Sequence, residues 1–587
     1  MSDINLIIDG KEVSVPQGST VLESAKKLGI DIPTLCHLDL HDTKMINKAA
    51  SCRICVVEVD GRRNLAPACA TPVTPGMVVK TNTIRVMEAR KTVLELLVSD
   101  HPKECLSCAK AGNCELQELS ERCGLRGDTI SGKAMSTYKK DYTPSLIRDM
   151  DKCVMCRRCE TMCNEVQQVG ALSAINRGFD AVVSAAFELP MVETVCTHCG
   201  QCVAVCPTGA LTEANHTWKV VEALADPTKT VIVQTAPAVR VALGEEFGHE
   251  PGTIFTNKMV SALKQIGFNY VFDTDFAADL TIMEEGTELL GRLQNYLDGK
   301  TEDTLPILTS CCPAWVNFVE SQFPELIDIP SSARSPQQMF GAVAKTYFAE
   351  KLGIKREDLV VVSIMPCLAK KYEANREEFA TDGNPDVDLV LSTRELATLI
   401  KQLNINPDEL EETDFDKPLG VATGAGVIFG TTGGVIEAAV RTAYEVRTGR
   451  SLPKIDFEEL RGFEGVRVAS VAMDDVTLNI GIAHGLGNAK ALLTEIRDGN
   501  PRNIHAIEVM ACPGGCIGGA GQPYHHGNSD ILKARQAAIY QVDRSLPIRK
   551  SHENPAIVEI YETYLGKPMS ELSHKLLHTH YHVKEKV

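Results

Sequence analysis

The chemistry of this sequence lies first in its 21 cysteines. In order they are Cys36, Cys52, Cys55 and Cys69; Cys105, Cys108, Cys114 and Cys123; Cys153, Cys156, Cys159 and Cys163; Cys196, Cys199, Cys202 and Cys206; then Cys311, Cys312, Cys367, Cys512 and Cys516. Structural buried thiols would be scattered, and a disulfide scaffold belongs to a small secreted chain. Thiolates set two residues apart instead crowd several soft ligands onto one side of a turn, as a metal or an iron–sulfur cluster requires. His101 stands four residues before Cys105, so one imidazole joins Cys105, Cys108 and Cys114. That donor set, taken alone, suits zinc as well as iron–sulfur.

Two of the groups are copies. Cys153-x2-Cys156-x2-Cys159-x3-Cys163 recurs 43 residues later as Cys196-x2-Cys199-x2-Cys202-x3-Cys206-Pro207. This resembles a bacterial two-cluster ferredoxin, in which the fourth cysteine of each run ligates the other cube. The resemblance implies one 4Fe-4S cluster on Cys153, Cys156, Cys159 and Cys206 and a second on Cys196, Cys199, Cys202 and Cys163. Asn164 stands where the ferredoxin pattern has proline. Upstream, two apolar runs meet at Asp9-Gly10, a hairpin signal, and the helical pattern VLESAKKLGI follows. With Cys36, Cys52, Cys55 and Cys69 this resembles a β-grasp 2Fe-2S ferredoxin, and zinc is the chemical alternative. Between the two modules, the His101 group resembles the His-ligated 4Fe-4S cluster of hydrogenases and of the large iron–sulfur subunit of NADH dehydrogenases.

The second half carries three unusual segments: TSCCPAW from Thr309 to Trp315, MPCLAKKYE from Met365 to Glu373, and EVMACPGGCIGGAGQP from Glu508 to Pro523. They resemble the signatures of the iron-only hydrogenases. The resemblance implies that Cys312, Cys367, Cys512 and Cys516 hold the 4Fe-4S cube of an H-cluster, with Cys516 bridging to a di-iron subsite. That subsite carries carbon monoxide, cyanide and a dithiolate amine installed by separate maturation proteins. Lys370 is then expected to face a cyanide, because a buried anion needs a charged donor. Pro237, Ala238, Gln337, Met365, Pro366, Phe429 and Met510 would line the cavity, although a methionine also serves as plain core filler. Cys311 is surplus to the ligand count, and by resemblance it passes protons, continued by Glu285, Ser331, Glu288 and Arg292. Glu288 and Arg292 are also an i,i+4 pair, which on most helices is only a solvated ion pair. The glycines around Cys512 and Cys516 are expected to let backbone approach the cluster.

The supporting elements follow. TVIVQTA, YVFDT, LPILTS, LVVVSIMP and AIEVMAC alternate with helical patterns and end near these residues, the order of open α/β sheets with a site beyond the strands' carboxyl ends. The predicted fold is α+β and modular. It comprises a β-grasp 2Fe-2S domain over 1–80 and a 4Fe-4S domain with one histidine and three cysteine ligands over 81–140. A two-cluster bacterial ferredoxin domain over 141–212 follows, and then a two-lobed α/β catalytic domain over 213–587, whose tail from residue 527 is like a small subunit. One 2Fe-2S cluster and three accessory 4Fe-4S clusters would thus lead to the H-cluster.

A net charge of -17 without a basic cluster excludes nucleic-acid binding. MSDINLIIDGK has no apolar signal core, which predicts a cytoplasmic protein. The uncharged stretch Leu419 to Ile436 contains six glycines and reads as a loop feeding a helix rather than a membrane span. Within it GAGVIFGTTGG lacks the lysine of a phosphate loop. The electron partner is open between ferredoxin and flavin- and NAD(P)-binding subunits. An electron-transfer subunit of an NADH-dehydrogenase-like complex would leave Cys312, Cys367, Cys512 and Cys516 unexplained. A non-catalytic assembly protein would not need Cys311 and Lys370.

Overall fold

The structure is a computed structural model that describes residues 3–40, 43–46, 50–127, 130, 138–300, 305–473 and 476–585. At the amino end the strands Asp3–Ile8 and Lys11–Pro16 pair antiparallel through Asp9 (φ 47°) and Gly10 (φ 78°). Two successive positive φ values are what a tight hairpin needs to match strand twist. Ile4, Leu6 and Ile8 alternate inward from the first strand. The strand Val78–Lys80 pairs parallel to it and completes a five-stranded mixed sheet with Val56–Val59 and Ala66–Pro67. The helix Val21–Lys27 starts at Thr20, whose hydroxyl accepts from Glu23 N while the Glu23 carboxylate accepts from Thr20 N. The long helix Ile84–Ser99 then leads to the short helix Glu115–Arg122.

In the ferredoxin-like segment, Leu146–Arg148 pairs antiparallel with Leu211–Glu213. This closes the ends of the segment on each other and returns Cys206 to the neighbourhood of Cys153. Asn164 uses its side chain where a proline was expected, donating to Leu172 O at 2.9 Å.

The remainder is built on two four-stranded sheets. The first is parallel in the order Tyr270–Asp273, Thr230–Thr235, Leu359–Met365, Leu389–Ser392. The second runs Ile307–Leu308, Ala506–Met510, Val476–His484, Val466–Met473, with only the last pair antiparallel. The Thr230–Thr235 and Ala506–Met510 strands are buried nearly throughout, which is why they read as unbroken apolar runs. Pro237, Cys312, Cys367 and Cys512 all follow the carboxyl ends of strands, where open sheets place sites. The helix Thr274–Leu297 packs against Pro336–Val343 and Gly434–Thr448, and so joins the two sheets.

Among the described residues no helix is long and apolar enough to cross a membrane. Leu419 to Ile436 forms a short turn at Gly424–Val427 and then enters the helix Gly434–Thr448. Its glycines are imposed by packing: a Cβ on Gly426 would lie 2.6 Å from Asp275 O, and one on Gly434 would strike Ile428 O. The tail helix Ser529–Ser545 is fastened by charge. Arg441 donates to both Asp543 oxygens at 3.0 and 2.9 Å and to Glu437 at 2.7 Å, and none of the three side chains is exposed. Removing one partner of a buried pair strands the other charge at about 3–5 kcal/mol. Arg441→Ala should therefore lower the thermal midpoint steeply, whereas Lys454→Ala, from an exposed pair with Glu458, should leave it within a degree or so.

Candidate active site

Burial and mutual charge sort the thiols into groups. Cys312 begins the helix Pro313–Gln322, and its sulfur accepts from Ala511 N at 3.5 Å. Burial pushes Cys367 up to about 12 and Cys512 well above the usual thiol range, with Cys312, Cys367 and Cys516 adding to the effect on Cys512. These four sulfurs face one another. Among the described ionisable groups the cation acting on Cys312, Cys367 and Cys516 is Lys370. Four converging soft donors, Cys367 and Cys512 buried and Cys312 and Cys516 half-buried, with a single ammonium are unfavourable as thiolates unless a multiply charged centre compensates them. An iron–sulfur cube fits that donor set.

The other groups follow the same logic. Cys153, Cys156 and Cys159 interact with Cys206, and burial holds Cys153 up at about 11. Cys163, Cys196, Cys199 and Cys202 line one small space. Cys55 and Cys69 sulfurs lie 3.3 Å apart, while Cys52 and Cys69 hold Cys36 below its ordinary value. Arg53 at φ 62° makes the tight bend between Cys52 and Cys55. His101, Cys105, Cys108 and Cys114 line a cavity of about 420 Å³. Burial pushes His101 down toward the neutral, ligand-competent imidazole, and its Nδ1 is buried with no hydrogen-bond partner. Cys36, Cys52, Cys114 and Cys156 share one hydrophobic cluster, and half-buried Cys123 packs against it. Cys202 faces Cys206, and Cys199 acts on both Cys312 and Cys512. The groups thus form a continuous series from the amino-terminal sheet to the four sulfurs.

Around those four, Lys370 Nζ donates to Cys311 O at 3.0 Å and to Glu373 Oε2 at 2.9 Å. Burial disfavours its charge, but Glu373, Cys367 and Cys311 outweigh that and raise it above the ordinary lysine value. An ammonium has three protons, so one remains for an anion. Gln337 Nε2 donates to Lys370 O and Glu373 Oε2 at 3.1 and 3.0 Å. Ala238, Phe429 and Met510 are buried in the hydrophobic cluster against which Cys311 and Cys516 pack, and Met365 is buried in the neighbouring one. Ala238 O accepts from Gln522 at 2.8 Å, and Pro366 O accepts from Gly521 N at 2.8 Å. A Cβ on Gly514 would meet Phe463 at 2.8 Å, and one on Gly515 would meet Thr432 N at 2.6 Å, so chain packing also leaves little room for side chains there.

The Cys311 thiol is pushed well up, first by burial, then by Glu285, Cys312 and Cys516. Glu285 is raised to about 8 by burial and by Glu288, and neither carboxyl oxygen has a hydrogen-bond partner. Ser331 Oγ donates to Glu288 Oε2 at 2.8 Å, and Arg292 binds Glu288 Oε1 at 2.6 Å. Glu288 and Arg292 are therefore not a solvated pair: their side chains are 8% and 15% exposed, and Arg292 also donates to Ile329 O at 3.1 Å. Ser331, Glu288 and Arg292 are joined directly, and Glu285 lies close enough to Ser331 and Ser310 N for both to oppose its upward shift. Sequence reasoning missed Glu373, Gln522 and Glu508. Glu508 is a buried carboxylate raised to about 7, first by burial, and it accepts from Ile436 N at 3.0 Å. The signal was a lone acid inside an apolar strand, and for Glu373 an i,i+3 partner of Lys370.

Residues 229–520 match the family described as iron only hydrogenase large subunit, C-terminal domain, and 529–584 match iron hydrogenase small subunit. Residues 2–84 match a 2Fe-2S iron-sulfur cluster binding domain, 90–128 the NADH-ubiquinone oxidoreductase-G iron-sulfur binding region, and 143–212 the NADH-quinone oxidoreductase subunit 3 ferredoxin-like domain. The chain is 64% identical to the NADP-reducing hydrogenase subunit HndD of Solidesulfovibrio fructosivorans over all of both chains. It is 38% identical to iron hydrogenase 1 of Clostridium pasteurianum over 98% of this chain and 99% of that one. The solved structure of a variant of the apo [FeFe]-hydrogenase HydA1 from Chlamydomonas reinhardtii aligns at TM-score 0.57 with 44% identity, over 63% of this chain and 99% of that one.

Glu285 generates a pH prediction. Its folded pKa of about 8 exceeds the ordinary 4.5, so the folded state holds the extra proton and loses stability as pH rises through that window. Glu285→Gln should match wild type near pH 4.5 and gain on it progressively up to pH 8, by a few kcal/mol at most. A difference in thermal midpoint that stays flat across this range would show that Glu285 is not held protonated.

Proposed function

We propose, from the premise that this chain belongs to the iron-only hydrogenase family, that Cys312, Cys367, Cys512 and Cys516 hold its H-cluster and that Cys311 delivers protons to it. The chain is a hydrogenase with iron–sulfur domains that relay electrons. The single observation that carries the finer reading is the convergence of four buried sulfurs with Lys370, next to a fifth thiol that faces Glu285. When bound, the cluster supplies the centre where protons and electrons combine into dihydrogen. The chain's own residues do the rest. Lys370, braced by Glu373 and the Cys311 carbonyl, offers a fixed N–H to an anionic ligand. Burial raises Cys311 and Glu285 so that each can hold a proton, give it inward and be recharged through Ser331 and Glu288, with Arg292 holding Glu288 in place.

The accessory groups read as one 2Fe-2S cluster on Cys36, Cys52, Cys55 and Cys69, and three 4Fe-4S clusters. The first of these three lies on His101, Cys105, Cys108 and Cys114, the second on Cys153, Cys156, Cys159 and Cys206, and the third on Cys163, Cys196, Cys199 and Cys202. The last faces Cys312 and is the expected donor to the active site. Full-length identity to a subunit of an NADP-reducing hydrogenase supports a cytoplasmic, NADP-linked complex whose other subunits bind flavin and nucleotide. Ferredoxin is the other electron partner this wire would suit.

Protein matured anaerobically should evolve hydrogen from reduced methyl viologen. Cys311→Ala should lose about 10²-fold or more, as removal of a proton-transfer group does, while keeping its infrared carbonyl and cyanide bands. Bands without activity in wild type, or full activity in the variant, would defeat the relay. Absence of hydrogen-dependent NADP reduction by the complex purified with its partner subunits would defeat the NADP assignment.

A further inference from the structure

The carboxyl-terminal tail buries a histidine beside the proton-transfer residues. The His578 side chain has no exposure, and both its ring nitrogens are engaged. Nε2 lies 3.0 Å from Glu284 Oε2, and Nδ1 lies 2.8 Å from Ser332 Oγ. Ser332 Oγ is also 3.1 Å from Glu288 Oε2. Backbone bonds hold this arrangement, with Thr579 N on Ser332 O and Arg334 N on Leu577 O, both at 2.8 Å.

The hydrogens can be counted. Glu284 accepts from Met569 N at 2.8 Å and from the hydroxyls of Tyr561 and Ser573. Burial opposes its charge, but His578 and these donors outweigh that and hold its carboxyl below the usual range. An ionised Glu284 can only accept, so Nε2 carries a proton. Ser332 has one hydroxyl proton for two neighbours. With neutral His578, that proton points to Nδ1, and Glu288 keeps Ser331 Oγ, Ser332 N and Arg292 as donors. With charged His578, Nδ1–H donates to Ser332, whose own proton turns to Glu288.

We propose that His578 is a proton-loading residue of the relay, reached from Glu288 through Ser332; this rests on the reading of Glu288 as a relay carboxylate. In the step, the O–H bond of protonated Glu288 breaks and its proton passes to Ser332 Oγ. The Ser332 hydroxyl proton moves to His578 Nδ1. The products are a Glu288 carboxylate and an imidazolium against the Glu284 carboxylate, and the reverse step recharges the relay. Four charged or titratable groups surround the imidazole. Glu284, on the Thr274–Leu297 helix, favours its charge. His574, stacked at 4.8 Å and 3° on the tail helix, opposes it when charged. Arg334 donates to the His578 carbonyl at 2.9 Å and is itself paired with Asp386 at 2.9 Å, so its charge is directed away from the ring. Glu288 acts through Ser332. Imidazole suits the task because one ring nitrogen can donate to Glu284 while the other takes up or releases a proton toward Ser332.

The test compares matured wild type with His578→Gln, Ser332→Ala, Ser332→Thr and Glu288→Gln by hydrogen evolution from excess reduced methyl viologen between pH 5 and 9. The expected result is a kcat lowered roughly tenfold above pH 7 and little changed at pH 5 in His578→Gln and Ser332→Ala, with Ser332→Thr close to wild type. Glu288→Gln should be nearly inactive at every pH. If Glu288→Gln is inactive while His578→Gln and Ser332→Ala keep the wild-type profile, or lose activity equally at all pH, the loading role is overturned and the relay stands. If Glu288→Gln remains active, the relay reading itself fails. Ser332→Ala with Ser332→Thr decides the matter should His578→Gln not fold.

Discussion

The four cysteines proposed to hold the cluster, Cys312, Cys367, Cys512 and Cys516, are buried or half-buried after strands of the two catalytic sheets, and Lys370 is the ammonium that acts on three of them. Burying charge without compensation is costly, so the surroundings must be arranged for a centre that brings positive charge with it. That constraint explains the placement of the ligands on loops after the Ile307–Leu308, Leu359–Met365 and Ala506–Met510 strands, since a strand interior has no room for a bulky inorganic group. It also explains why Lys370 is doubly braced. A mobile ammonium would find water or another carboxylate, whereas one tied to Glu373 and a carbonyl keeps its remaining proton aimed.

The adjacent residues Cys311 and Cys312 divide two kinds of traffic. Cys312 opens a helix and faces Cys199 and the ferredoxin-like segment. Cys311 faces Glu285 on the Thr274–Leu297 helix. Successive residues at the end of an extended segment point to opposite sides, so one loop turns Cys312 toward the ferredoxin-like segment and Cys311 toward Glu285, as the proposed ligand and proton roles require. The ferredoxin-like segment is not a loosely tethered module. Its cysteines Cys159, Cys196, Cys202 and Cys206 share one hydrophobic cluster with Trp315, Cys367 and Cys512, and Gln167 donates to Ala511 O at 3.0 Å. Such a shared core keeps the electron donor at fixed separation from the acceptor.

Much of this arrangement is legible in the sequence because it is written in local spacing. The Asp9-Gly10 turn, the VLESAKKLGI pattern and the apolar runs became a hairpin, a helix and strands. The 43-residue repeat pairs the thiols that the structure brings together. What spacing does not carry is long-range. Nothing local says that Arg441 closes on Asp543 or that the second sheet has one antiparallel edge. The glycines of the last motif are read as room for a cluster, and a Cβ on them would also meet Phe463, Thr432 or Pro366. Glycine spacing does not distinguish a ligand from another segment of chain.

The tail shows most clearly why tertiary contact escapes a linear reading. In sequence, LLHTHY is a short histidine-bearing end. In space, the bridge between Ala333 and His578 sets that end against the relay loop, and Glu284 and Glu285 divide between two roles. Glu284 turns to the tail, collects four donors and is held below the usual carboxylate range; Glu285 turns to Cys311, where burial and Glu288 outweigh the weak influence of Ser310 N and Ser331 and raise it. Two neighbouring glutamates on one helix are thus shifted in opposite directions, because hydrogen-bond donors outweigh burial at one and burial outweighs them at the other. The segment matched as a small subunit supplies the polar groups that fix one of them, and therefore takes part in setting the proton side as well as covering it.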